Sequence, residues 1–123
     1  MASNPVVWFE IYVRDMARAK VFYEGLLDVR LQPMDVPDVE MWGFPMDQGA
    51  PGAGGALIRM EGVEPGMGGC LVYFNCADCG VEAQRATSHG GKVFKPKTSI
   101  GEHGFFALVN DTEGNLVGLY SMA

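Results

Sequence analysis

Glu10 lies between Trp8 and Tyr12 in a run, residues 6–13, whose β-branched and aromatic side chains alternate as in a strand. That period puts Trp8, Glu10 and Tyr12 on one face and Phe9, Ile11 and Val13 on the other. The second set is core. A carboxylate between two large rings reads instead as pocket lining, where it can act as a general acid or base or as an anchoring charge for a bound molecule. Lys95 and Lys97 are the cations placed to polarise a carbonyl oxygen, against the plainer role of solvated strand-edge residues. Trp42 and Tyr73 add flat apolar surface.

Other reactive side chains make weaker cases. Cys70, Cys76 and Cys79 are an odd set clustered in one stretch, which is no extracellular disulfide framework. Cys76 and Cys79 have redox spacing, but only Cys79 falls at a helix start, where a thiolate is stabilised. The pair reads as small residues at a strand-to-helix corner. No second pair and no neighbouring His-x-x-x-His completes a zinc site. His89 belongs to the last turn of a helix, where imidazole suits the negative end of the dipole, and His103 falls in a loop. The glycine-rich run 47–55 lacks a following Lys-Ser or Lys-Thr and any helical pattern, so it is not a phosphate-binding loop.

Composition narrows the partners. The 123 residues carry nine basic and fifteen acidic side chains, a net charge of -6, which excludes a surface that tracks nucleic-acid phosphates. No apolar run approaches the ~20 residues needed to span a bilayer, and residues 1–5 lack the basic and apolar segments of a secretory leader. A soluble, cytoplasmic single domain is expected, with no membrane or nucleic-acid partner.

These residues must be positioned by local elements. Asp15 is placed to cap a helix whose Ala19, Phe22, Tyr23 and Leu26 recur at helical spacing. Strands follow at 29–32, ended by Pro33, at 39–44, closed by Pro45, and at 56–60, with 61–69 as a linker. The second half repeats the order. A strand at 70–76 leads to Asp78 as the next cap, and Ala83, Ala86 and Thr87 give a short stripe that Gly90 closes in the left-handed region. Strands at 92–96, 105–109 and 115–120 complete it. The segment 97–104 reads as a polar loop, and 111–114 as a hairpin turn with Gly114 at positive φ. The class is α+β: a single domain of two βαβββ modules, 1–60 and 70–123, whose sheets are expected to curve around a shared cavity.

The cues Asp15-Met16-Ala17-Arg18-Ala19, Phe22-Tyr23, Gly90-Gly91 and Asp111-Thr112-Glu113-Gly114-Asn115 resemble the vicinal oxygen chelate superfamily. This is the group of glyoxalase I, the bleomycin-resistance proteins and the extradiol dioxygenases. The resemblance spans nearly the whole chain. Trp8-Phe9-Glu10-Ile11 and the closing run 113–119 look in particular like small glyoxalase-related bacterial proteins. It implies a cup-shaped fold and a homodimer with two pockets. In metal-dependent members the ligands come from the first and fourth strands of each module, positions that fall here near Trp8, Ile58, Leu71 and Gly118. None of these side chains ligates a metal. The resemblance therefore carries over the fold and not the metal-dependent glyoxalase reaction, and no metal or cofactor is expected.

The expected function is binding of a planar or cationic small organic molecule in an aromatic-lined pocket. The expected contacts are Trp8, Glu10, Trp42, Ile58, Leu71, Tyr73, Lys97 and Gly118. The alternative is an isomerase or lyase acting on a small carbonyl compound, with Glu10 as general acid/base.

Overall fold

A computed structural model describes residues 6–68 and 70–123. Strand β1 (Trp8–Tyr12) runs into helix α1 (Met16–Leu27), followed by β2 (Gln32–Met34), β3 (Glu40–Gly43) and β4 (Gly54–Arg59). The order then repeats as β5 (Val72–Asn75), α2 (Cys79–Ser88), β6 (Lys92–Ser99), β7 (Phe105–Asn110) and β8 (Leu116–Ser121). Each half forms one mixed sheet, ordered β1-β4-β3-β2 and β5-β8-β7-β6. The first and last strand of each half pair in parallel and the rest antiparallel. No helix among the described residues is long and apolar enough to cross a membrane.

Both helices start where a carboxylate caps them. Asp15 accepts the amide of Arg18 and Asp78 that of Gly80. The stripe of α1 is fully buried, with Ala19, Phe22, Tyr23 and Leu26 at 0% exposure, so each large side chain gives about 1.5–3 kcal/mol of apolar burial. In α2 the buried stripe is Cys79, Ala83 and Ala86, so Ala83 and Ala86 pack as expected while Thr87, in the last turn, is exposed. His89 is the C-cap of α2, closing its last turn with an N–H donated to the Ala86 carbonyl and a ring nitrogen 2.8 Å from the Arg85 carbonyl. Its ring lies on Gly25 of α1, where any Cβ would collide with it, so this glycine sets how closely the helices cross.

Prolines mark the main departures from the expected strands. Pro33 sits inside β2, opposite Trp42, instead of ending a strand at 29–32. Strand β2 is the outer edge of its sheet, where a missing N–H breaks no ladder bond. Pro96 likewise lies within β6, which runs on to Ser99 through two register shifts, so the expected loop 97–104 begins as an edge strand. Gly69 of the expected linker lies outside the described residues.

The halves share one core. Phe9, Tyr23, Phe44 and Phe74 form a ring cluster with centroids 5.5–6.1 Å apart. Above it the β7–β8 turn supplies two buried carboxylates. Asp111 accepts the Tyr23 hydroxyl at 2.7 Å, and burial followed by the Asp111 charge pushes that phenol well above its ordinary value. Glu113 accepts the amides of Arg14 and Asp15, the Arg18 guanidinium and the Thr112 hydroxyl. Burial alone would raise its carboxyl; the Arg18 guanidinium and these amides outweigh it and hold it at about 2.

A carboxyl depressed on folding stabilises the protein above its unfolded value and loses that contribution as pH falls toward the folded one. The unfolding free energy should therefore be level above the ordinary carboxylate range and decline from there toward about pH 2. Glu113→Gln should lose about 2–3 kcal/mol at neutral pH and flatten that acid limb. Urea unfolding of both proteins across pH is the measurement; identical acid limbs would refute the clamp.

Candidate functional site

With helices on one side, each sheet keeps one helix-free face, and strand register decides which residues share it. On the first sheet Trp8, Glu10 and Tyr12 pair with Gly54, Ala56 and Ile58, and Ile58 in turn with Met41. On the second, Tyr73 pairs with Gly118, which pairs in turn with Leu108, and Asn75 pairs with Tyr120, which pairs in turn with Phe106. Alternate residues face the core.

Glu10 is exposed rather than buried between its aromatic neighbours. It is nonetheless engaged: Trp8 Nε1 donates to one carboxylate oxygen at 3.1 Å and the Tyr12 hydroxyl to the other at 2.8 Å. One carboxylate thus holds two rings in line along the face. Hydrogen bonding to Glu10 is the main cause raising the Tyr12 phenol above its ordinary value, with desolvation and the Glu10 charge adding to it.

A cavity of about 530 Å³ opens on the second sheet, lined by Tyr73, Phe74, Asn75, Ile100, Phe106 and Tyr120. Tyr73 lies over Gly118 so closely that any Cβ there would fall within its ring. Gly118 thus seats Tyr73 against the sheet, leaving the other side of a half-exposed ring toward the cavity. The Tyr120 hydroxyl is committed to the His103 carbonyl.

Trp8 lines a different hollow, of about 690 Å³, between the start of β1 and the 46–54 segment. Glu10 and Tyr12 border a narrower crevice of about 220 Å³, shared with Val72, Asn115 and Val117 of the second half. The single chain does not bring Trp8 and Tyr73 into one cavity. Trp42 is on the opposite, core-side face of its sheet, paired with Leu57 and covered by the Lys20 ammonium 3.3 Å from its ring centre. Ile58 is buried beside Tyr12, and Leu71 precedes β5 outside the cavity. Lys97 is drawn to the N-terminus of α2, where it pairs with Asp78 at 2.8 Å and sits over Phe105. Lys95 does not line the cavity either.

Asn75, Ile100, Phe106 and Tyr120 were not singled out by the sequence reading. A signal existed: two-residue periodicity from Tyr73 reaches Asn75, from Gly118 reaches Tyr120, and the hairpin carries Tyr120 across to Phe106.

The residues do not fit a divalent metal. Trp8, Ile58, Leu71 and Gly118 supply no donor side chain, and among the described residues no three His, Cys, Asp or Glu side chains are grouped to hold an ion. Nor does Cys76 offer a nucleophile: burial first, then the charge of Glu82, pushes its thiol up to about 12.

The family profile of the glyoxalase/bleomycin resistance protein/dioxygenase superfamily matches residues 6–119. The chain belongs to this superfamily. Glyoxalase I from Zea mays superposes at a TM-score of 0.72 with 21% identity, over 96% of this chain and 46% of that one. The chain thus spans about half the length of the maize enzyme. An antibiotic binding protein from Streptomyces matches end to end, at a TM-score of 0.69 and 23% identity over 100% of this chain and 99% of that one. A glyoxalase-related enzyme from Fulvimarina pelagi gives 0.67 at 16% identity, over 97% of this chain and 88% of that one. At these identities the likeness is one of fold. No curated protein matches the chain.

Glu10→Gln removes the charge that holds the Tyr12 proton, so the phenol should titrate at lower pH. Ultraviolet titration, with Tyr12→Phe to identify the signal, tests this; an unmoved titration would break the assignment of Glu10 to Tyr12.

Proposed function

We propose that the chain is a metal-independent binding module that holds a small organic molecule on the helix-free face of its second sheet. The observation that carries this reading is the cavity of about 530 Å³, walled by Tyr73, Phe106 and Tyr120 and floored where Tyr73 rests on Gly118. Its volume is in the range of ordinary ligand pockets, roughly 300–1,000 Å³. The full-length match to an antibiotic binding protein supports the same class of activity. A cytoplasmic location agrees with three free cysteines.

The reading includes a homodimer. The cavity is open on its outer side, and a second copy is the natural source of a covering surface. Glu10 contributes by orienting aromatic rings. An isomerase or lyase that uses Glu10 as its acid/base is the weaker alternative, since the cavity lacks an ionised group and both Glu10 oxygens are engaged.

Neither tryptophan lines the cavity, so tryptophan emission is a poor reporter and calorimetry is preferred. A panel of antibiotics and aromatic metabolites should contain compounds that bind saturably. Gly118→Ala, which pushes the Tyr73 ring off its seat, should weaken the best of them by about tenfold or more, or ~1.4 kcal/mol. Uniform silence across the panel, or full affinity in Gly118→Ala, would dismiss the site.

A further inference from the structure

The cavity is chemically unlike the rest of the surface. The chain carries a net charge of -6, yet the cavity is lined by Tyr73, Phe74, Asn75, Ile100, Phe106 and Tyr120, with no carboxylate, ammonium, guanidinium or imidazole among them. None of the charged side chains nearby lines it: Lys97 is held by Asp78, Lys95 lies opposite Leu108 on the outer strand, and Glu102 and His103, beyond Ile100, face solvent 3.9 Å from each other. A charged group held against these rings gains no ion pair from the lining, and the water that the rings displace from it is only partly replaced.

Two features narrow the ligand further. Tyr73, pressed onto Gly118, presents one ring face to the cavity, and Phe106 and Tyr120 lie on neighbouring strands of the same face. Such a set accepts a flat conjugated system by offset or edge contacts. The Asn75 carboxamide sits at the end of β5 beside Tyr120 and has no hydrogen-bond partner among the described residues, and neither has the Tyr73 hydroxyl. Because Asn offers both donor and acceptor, it can serve a carbonyl or a hydroxyl without a charge.

We propose that the cavity selects an uncharged, flat aromatic molecule bearing a carbonyl or hydroxyl that bonds to Asn75, and discriminates against cations and anions of the same shape. This rests on the binding-module reading above and replaces the planar cation suggested by overall acidity with a neutral ligand.

One ring system carrying three charges tests it. Pyrenemethanol, pyrenemethylammonium and pyrenesulfonate, titrated against the full chain by pyrene fluorescence and confirmed by calorimetry, differ in little besides charge. Pyrenemethanol should bind at least about tenfold tighter than either ion. Asn75→Ala should lower its affinity about fivefold while leaving that of unsubstituted pyrene unchanged, a contrast that a folding defect would not give. Tightest binding by the ammonium or the sulfonate would overturn the selection for neutral ligands while leaving the binding module intact. Equal affinity of pyrenemethanol for Asn75→Ala would overturn the role of Asn75. Absence of saturable binding by all of these probes, together with silence of the wider panel, would remove the binding reading itself.

Discussion

The structure depends on one turn. Between β7 and β8, Asp111 and Glu113 place two buried carboxylates where the halves meet, and each accepts several hydrogen bonds from the other half or from its own turn. Glu113 reaches the backbone at the start of α1 and the Arg18 side chain, while Asp111 holds the hydroxyl of Tyr23 in the middle of the same helix. A buried charge left without such partners would cost several kcal/mol, so the turn has essentially one acceptable arrangement. With α1 fixed in that way, the aromatic cluster of Phe9, Phe44 and Phe74 has a rigid lid.

A fixed helix layer commits each sheet to an inner and an outer face. Position parity then decides chemistry: Phe74 joins the core while Tyr73 and Asn75 look outward, and the same division separates Leu119 from Gly118 and Tyr120. The cavity is therefore an outcome of sheet geometry rather than of a specialised loop. Its lining holds no ionisable acid or base; Lys97, the sequence's candidate cation there, instead completes the cap of α2.

Much of this was legible in the sequence because it is local. The stripe Ala19, Phe22, Tyr23, Leu26, the caps Asp15 and Asp78, and the turn glycine Gly114 each follow from spacing within a few residues. Tyr73 and Gly118 were named, and they prove to touch each other. What failed was non-local. Pro33 and Pro96 read as strand ends because nothing in the chain states which strands lie at a sheet edge. Trp42 was placed with Trp8 because its face depends on pairing with Leu57 in another strand, and register is invisible until the sheet forms. The roles of Asp111 and Glu113 were hidden for the same reason: a hairpin turn explains their presence, while their partners lie most of a chain away.

Strand β6 has a consequence for how copies of the chain can meet. It is a long, solvent-exposed outer strand, but Pro96 interrupts its row of donors, its pairing slips twice, and Lys92, Lys95 and Lys97 crowd its length with positive charge. A strand from another molecule aligning there would find gaps in the hydrogen-bond ladder and lysines that lose hydration on docking. Growth of the second sheet by end-on strand addition is thereby discouraged on that side. The chain can leave an aromatic surface open while keeping the adjoining edge from seeding aggregation.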